Sequence, residues 1–424
     1  MNSILINPPK NSWAHVLKRP AFDSKHLEAA VSQILLDVKT NGDTAIKYYT
    51  SQYDKITLDH IKVTREEIDH AENLVSPELK NAISIALKNI WKFHEAQLET
   101  PAEIETSPGI FCWRKSISIE KVGLYIPGGI TPLFSTLLML GVPAVIAGCK
   151  EITVCTPPSK NGTVHPAILY TAKVLGIENI YKAGGAQAIA AMAYGTEMIP
   201  QVDKIFGPGN QYVTCAKQLV NLQGIAIDMP AGPSELAIYA DHSSNPVFVA
   251  ADLLSQAEHG PDSQVIIISN SKEVLNKVLT QITLQQHVLL RRDFIEHSLV
   301  NSQFIVIDNV DEAFSMINRY APEHLIIATD NAKELCHKVI NAGSVFLGHY
   351  SPESAGDYAS GTNHTLPTNG FAKSYSGVSV DSFVKKITFQ RLSKEGLQGI
   401  AESVATMAEA EGLDAHKNAV QLRF

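Results

Sequence analysis

The chain lacks any run of about 18 uninterrupted apolar residues, the length a bilayer-crossing helix needs. Its opening residues, MNSILINPPKNSWAHVLKRP, place prolines where a signal peptide carries its apolar stretch. A soluble, cytoplasmic protein is the expectation. Cysteine is scarce: Cys112, Cys149, Cys155, Cys215 and Cys336 are scattered, odd in number and never in CxxC spacing. That pattern argues against a disulfide framework and suits reduced thiols. No Lys/Arg block is present and the formal charge is −8, so nothing lays a positive stripe along a phosphate backbone, and nucleic acid is not an expected partner. Two fingerprints are also missing. There is no HExxH, and no GxGxxG followed by an acidic residue at dinucleotide-binding distance.

What is present fits a globular enzyme. Hydrophobic residues make up 45% and charged residues 18% of 424 positions, which exceeds one ordinary core and implies at least two packed units. The first hundred residues predict helices. One is capped near Asp23 or Ser24, carries Leu27, Val31, Ile34, Leu35 and Val38 on one face, and ends at Asn41-Gly42. Thr64 with Glu67 forms a capping-box pattern, and Ser76-Pro77 starts a helix running toward Glu99.

From about Ile110 the pattern changes to short β-rich runs alternating with helical stretches, among them ITVCTPP, NIYKAGG and DKIFGPG. It recurs after Pro233 with ELAIYA, QVIIIS, FIVID, HLIIAT and SVFLG. Such alternation predicts parallel βαβ units, here two α/β units. Residues 348–380 are rich in Gly, Ser, Thr and Pro, which predicts a long functional loop. A helical pattern resumes from about Leu392.

Three glycine-rich turns follow strand-like runs: VGLYIPGG ending at Gly129, AGGAQA around Gly185, and FGPGN ending at Asn210. They suit close approach of backbone N–H groups to phosphate, or are ordinary tight turns. In DLLSQAEHGPDSQ, Gln256 and His259 are three apart near a helix end and share a face. With Asp357 and one further histidine they would form an N/O set suited to zinc. Any single histidine read alone is better explained by a surface or hydrogen-bonded core role. Glu323 and His324, in PEHL before an apolar strand, can divide acid–base work, or simply form a polar loop leading into that strand. A thiolate mechanism is the rival for aldehyde oxidation, yet Cys149 and Cys155 flank an apolar strand, where cysteine packs as a small hydrophobe.

Taken together, DLLSQAEHGPDSQ, IFGPGN, DMPAGPSE, APEHL, GTNHTLPT and AHKNAV closely resemble the histidinol dehydrogenase family, in the family's order and over nearly the whole chain. The resemblance implies oxidation of L-histidinol through histidinaldehyde to L-histidine with two NAD+ in succession, in a homodimer. It implies zinc held by Gln256, His259, Asp357 and His416. Substrate contacts would include these four residues with Ser234, His324, His364 and Glu411, and NAD contacts Tyr125, Gln187 and Asn210. It assigns acid–base catalysis to Glu323 and His324, and it places Glu411 and His416 in the neighbouring subunit's site. The expected architecture is α/β: two incomplete Rossmann-like domains, an N-terminal helical scaffold and a C-terminal helical tail. Its expected division is 1–22 as an arm, 23–120 plus 237–376 as one domain, 121–236 as the other, and 377–424 as a dimerisation segment. A metal-dependent hydrolase, a cysteine-dependent aldehyde dehydrogenase and a non-catalytic metabolite-binding protein are the competing readings.

Overall fold

The computed structural model describes residues 4–20, 24–128 and 132–424, with the side chains of 24–26 left aside. The cap at Asp23 and the turn glycine Gly129 lie outside the described residues.

Two parallel sheets organise the chain. The first orders its strands Asn179–Lys182, Glu151–Thr156, Lys121–Tyr125, Lys204–Phe206 and Ala226–Ile227. Numbered along the chain this is 3-2-1-4-5, the strand order of a Rossmann unit lacking its last strand. The second sheet repeats it with Gln303–Val306, Gln264–Ser269, Glu235–Ala240, His324–Ala328 and Ser344–Leu347, and adds Leu5–Ile6 at one edge. Every pairing in both sheets is parallel. ELAIYA and QVIIIS are buried at all six positions, because helices cover both faces of a parallel sheet and leave no polar side. The incomplete Rossmann expectation therefore holds, twice.

Local chemistry sets the helix ends. Thr64 and Glu67 form the predicted capping box, and Ser76 caps the helix Pro77–Glu95 with proline in its first turn. The helix Ser24–Tyr53 leaves helical geometry at Gly42 (φ 51°, ψ −131°) and then resumes. Two helices thus meet at a kink there, and the expected helix end at Asn41-Gly42 holds. A side chain at Gly42 would stand 2.2 Å from the Glu197 carboxylate.

Two findings extend the sequence expectation. The N-terminal helices bury Val31, Ile34, Val38 and Ile46 against the Ala-rich helix Gly185–Tyr194, and Ile68, Ile83 and Ile90 against Val122, Leu124 and Leu137. Their apolar core thus lies against the 121–227 sheet, while Asn89 and His94 hydrogen-bond to Ala359 and Asn363 of the 237–376 segment. The helix Gly185–Tyr194, GAQAIAAMAY, is buried almost throughout, so it needs a second apolar layer, and its small side chains let one approach closely. The second finding is a third, antiparallel sheet, in which Ile110–Ser118 pairs with Ile104–Ser107 and with Val384–Leu392. The partner strand lies so far along the chain that no local pattern announces it.

Candidate active site

His324 opens the strand His324–Ala328, which lies next to the sheet's edge strand Ser344–Leu347, and Glu323 immediately precedes it; both are buried. They stand at the amino end of the six-stranded sheet. Ser234 and Glu235 lie beside them at the start of the neighbouring strand, which pairs His324 with Leu236. The backbone N–H of Glu235 donates to Glu323 Oε2 at 2.9 Å. The Glu235 carboxylate accepts two hydrogen bonds from Arg19, at 2.5 and 2.8 Å. Arg19 also lies over the Tyr320 ring, 3.9 Å from its centroid, so the N-terminal arm pins this strand end.

His324 is ringed by carboxylates. Its Nδ1 lies 3.5 Å from Glu353 Oε1 and 3.6 Å from Glu323 Oε2, and its Nε2 lies 3.6 Å from Asp357 Oδ1. Neither ring nitrogen completes a hydrogen bond among the described residues, which marks a site open to a further partner. Burial pushes His324 down, but Glu353, Glu323 and Asp357 outweigh it and hold the imidazole up at about 10. Burial lifts Glu323 to about 7, against the opposing pull of His324, a range useful to a general base near neutral pH.

Asp357 and Glu353 share the short helix Glu353–Tyr358, four residues apart and so on one face. Sequence reading expected only loop here, and it missed Glu353. The usable signal was Pro352 followed by an acid in the first turn. One ligand atom each from His259, Glu353 and Asp357 lie within 4.8 Å of one another. Gln256 lies in the last turn of the helix Pro246–Ala257, wholly buried, and His259 follows just beyond it, its backbone N–H donating to the Gln256 backbone carbonyl at 3.2 Å. Gln256, His259 and Asp357 are thereby brought together. His364 joins them: its Nδ1 meets the Asp357 carbonyl oxygen at 2.9 Å, and its Nε2 meets Thr136 Oγ1 at 3.2 Å. Thr136 belongs to the other α/β unit, so the site lies on the seam between the two.

Glu411 and His416 are not brought in. Glu411 closes the helix Lys394–Ala410, and His416 sits exposed on Asp414–Gln421, which packs chiefly on that preceding helix.

Tyr125, Gln187 and Asn210 gather at the carboxyl ends of the five-stranded sheet. Tyr125 ends the central strand, and its hydroxyl accepts from the Gly185 N–H at 3.1 Å. Gln187 lies in the first turn of the helix Gly185–Tyr194, whose N-cap Gly184 supplies no side-chain cap. Asn210 caps the helix Gln211–Leu222, accepting from Tyr212 and Val213. Gly207 has φ 131°, and a Cβ there would fall 2.2 Å from the Tyr125 carbonyl oxygen. Below this turn, the buried Lys217 pairs with Asp228 and donates to the Gly207 carbonyl at 2.8 Å. In a Rossmann unit the ligand crevice lies between the first and fourth strands, which is where Tyr125 and Gly207 meet.

All five cysteines are free. Cys155 is wholly buried with its thiol pushed up by burial, and burial pushes Cys149 up to about 12. Neither resembles an activated thiolate.

Two Rossmann-like sheets that meet over a buried acid–base pair and a metal-competent cluster define an α/β enzyme. The model of the family described as histidinol dehydrogenase matches residues 17–424, and the chain belongs to that family. It is 57% identical over 424 residues to the histidinol dehydrogenase of Bacteroides thetaiotaomicron, covering 100% of this chain and 99% of that one. Against the Vibrio parahaemolyticus histidinol dehydrogenase the identity is 50% over 411 residues, covering 96% and 94%. The crystal structure of histidinol dehydrogenase from Elizabethkingia anophelis superposes with a TM-score of 0.97 at 54% identity, covering 99% of this chain and 97% of that one.

Proposed function

We propose that the chain oxidises L-histidinol through histidinaldehyde to L-histidine, using two NAD+ in succession and one zinc ion. The carrying observation is the convergence of Glu323, His324, Gln256, His259, Asp357 and His364 at one seam, where His364 meets Thr136 of the other α/β unit. Family membership supplies the substrate.

The residues fit both absent groups. The His259 imidazole and the Asp357 carboxylate, with Glu353 beside them, are a zinc-type donor set, and Gln256 contacts the same Glu353 carboxylate. Gln256, His259 and Asp357 would hold the ion, with His416 completing the set from a second copy. When bound, zinc supplies a Lewis-acid anchor for the substrate's nitrogens and NAD+ supplies the hydride acceptor. The uncapped first turn at Gly185 offers backbone N–H groups to a pyrophosphate.

The chain's own groups then move protons. In its neutral form His324 takes the alcohol proton as hydride leaves carbon. That form needs the surrounding carboxylate charge offset, which a divalent cation beside Asp357 would do. For the second oxidation Glu323 draws a proton from the water that adds to the aldehyde, and His324 accepts one from the resulting hydrate. Burial at the seam keeps bulk water from the reacting carbon.

The homodimer reading draws on the tail, which leaves Met407, Leu413, Leu422 and Phe424 exposed. Among the described residues no helix is long and apolar enough to cross a membrane, and a cytoplasmic location accords with the proposed biosynthetic role. The test is to incubate zinc-loaded protein with histidinol and NAD+ and to follow NADH absorbance. Steady NADH formation that a chelator abolishes is expected, and its absence would reject the assignment.

A further inference from the structure

The scheme above leaves one buried group at the site without a task. Glu353 is almost wholly buried in the first turn of Glu353–Tyr358. With the Gln256 amide turned so that its nitrogen faces the carboxylate, that nitrogen donates to Glu353 Oε1 at 2.5 Å and lies 3.2 Å from Oε2. The same carboxylate faces His324 Nδ1 at 3.5 Å.

A primary amide has one donor end and one acceptor end. With the donor end taken by Glu353, the carbonyl oxygen of Gln256 is turned away from the carboxylate and can accept a cation. Nδ1 faces two carboxylates, Glu353 and Glu323, whereas Nε2 faces only Asp357, which the zinc reading commits to the cation; the proton is thereby favoured at Nδ1, leaving Nε2 as the basic nitrogen. One side chain thereby orients a metal ligand and a base.

We infer that Glu353 is a positioning residue: it holds the Gln256 carbonyl oxygen toward the zinc ion and sets the His324 tautomer, without itself ligating the metal. The inference rests on the zinc reading above. Its rival is direct ligation, since Glu353 also lies within the cluster formed with His259 and Asp357.

A double-mutant cycle separates the two. Zinc affinity is measured by competition with a chromogenic chelator on the full-length wild type, Glu353→Gln, Gln256→Ala and the double variant, with thermal melting of the metal-free forms to verify folding. Glu353→Gln is expected to weaken zinc about 10–100-fold, as loss of an orienting partner does. The double variant is expected to bind no more weakly than Gln256→Ala alone, because the carboxylate acts through that amide. Glu353→Asp, which keeps the charge one methylene short, should recover part of the loss, and it carries the comparison if the Gln variant does not fold. Wild-type affinity in Glu353→Gln would overturn the inference, and so would losses that multiply in the double variant, the mark of an independent ligand. A wild type that binds no zinc would instead reject the metal reading, and this inference with it.

Discussion

Glu323 and His324 are adjacent in sequence but differently placed in the chemistry. Glu323 is held by a backbone N–H and lifted by burial to about 7, which suits water activation, whereas His324 faces three carboxylates. Glu323→Gln is therefore expected to slow histidinaldehyde oxidation more than histidinol oxidation, by something within the roughly 10²–10⁴-fold range of acid–base catalysis. His324→Ala should slow both. Assaying each variant on the alcohol and the aldehyde separately decides it, and equal losses in Glu323→Gln would contradict the division. At the same scale, replacing all five cysteines by Ala or Ser should leave substantial turnover in folded protein. An inert but folded variant would restore the thiolate route. That Glu323, His324, Gln256, His259 and Asp357 lie close together was legible from short motifs taken with the family resemblance. Glu353 was not: it is one acid in a Gly/Ser-rich stretch, and only the folded helix turns it toward Gln256.

Single elements carry their own tests. Asp252 lies on the helix Pro246–Ala257, and burial raises its carboxyl to about 7. Its unfolded value is about 3.9. The folded chain thus keeps a proton between about pH 4 and 7 that the unfolded chain releases, and stability falls as pH rises through that window. Asp252→Asn should raise the melting temperature of the metal-free protein at about pH 8 and change it little at about pH 4. A shift equal at both would assign the effect to packing. In the turn after Lys204–Phe206, Gly207→Ala would set a Cβ against the Tyr125 carbonyl oxygen in a left-handed conformation. Strain of about 1–3 kcal/mol should weaken NAD+ binding roughly 5–150-fold, with zinc affinity unchanged. Titrations of both ligands would show it, and an undisturbed NAD+ affinity would count against this turn as a cofactor contact. The parallel strands were legible as elements because unbroken apolar runs have few other homes. The antiparallel strand Val384–Leu392 was not, since its pairing joins distant segments.

For the molecule as a whole, the sequence disclosed two α/β units but neither how they face each other nor where the N-terminal helices belong. Both depend on surfaces that meet only after folding, such as Ile34 and Val38 against Gly185–Tyr194. The tail poses a related question, because His416 stands outside the cluster in a single chain. If it serves the neighbouring copy's site, mixing inactive His324→Ala with inactive His416→Ala protein and allowing subunits to exchange should restore about a quarter of wild-type activity, since half the dimers then hold one intact site. No recovery despite proven exchange would place the tail in its own subunit's site.

The six-stranded sheet presents its amino ends to the seam, while the five-stranded sheet presents its carboxyl ends. On the proposed reading, redox partner and reactant are held by different halves of the polypeptide that meet at the seam. An evolving or engineered lineage could therefore retune dinucleotide preference within 121–227 while the histidine-and-carboxylate cluster stays unaltered.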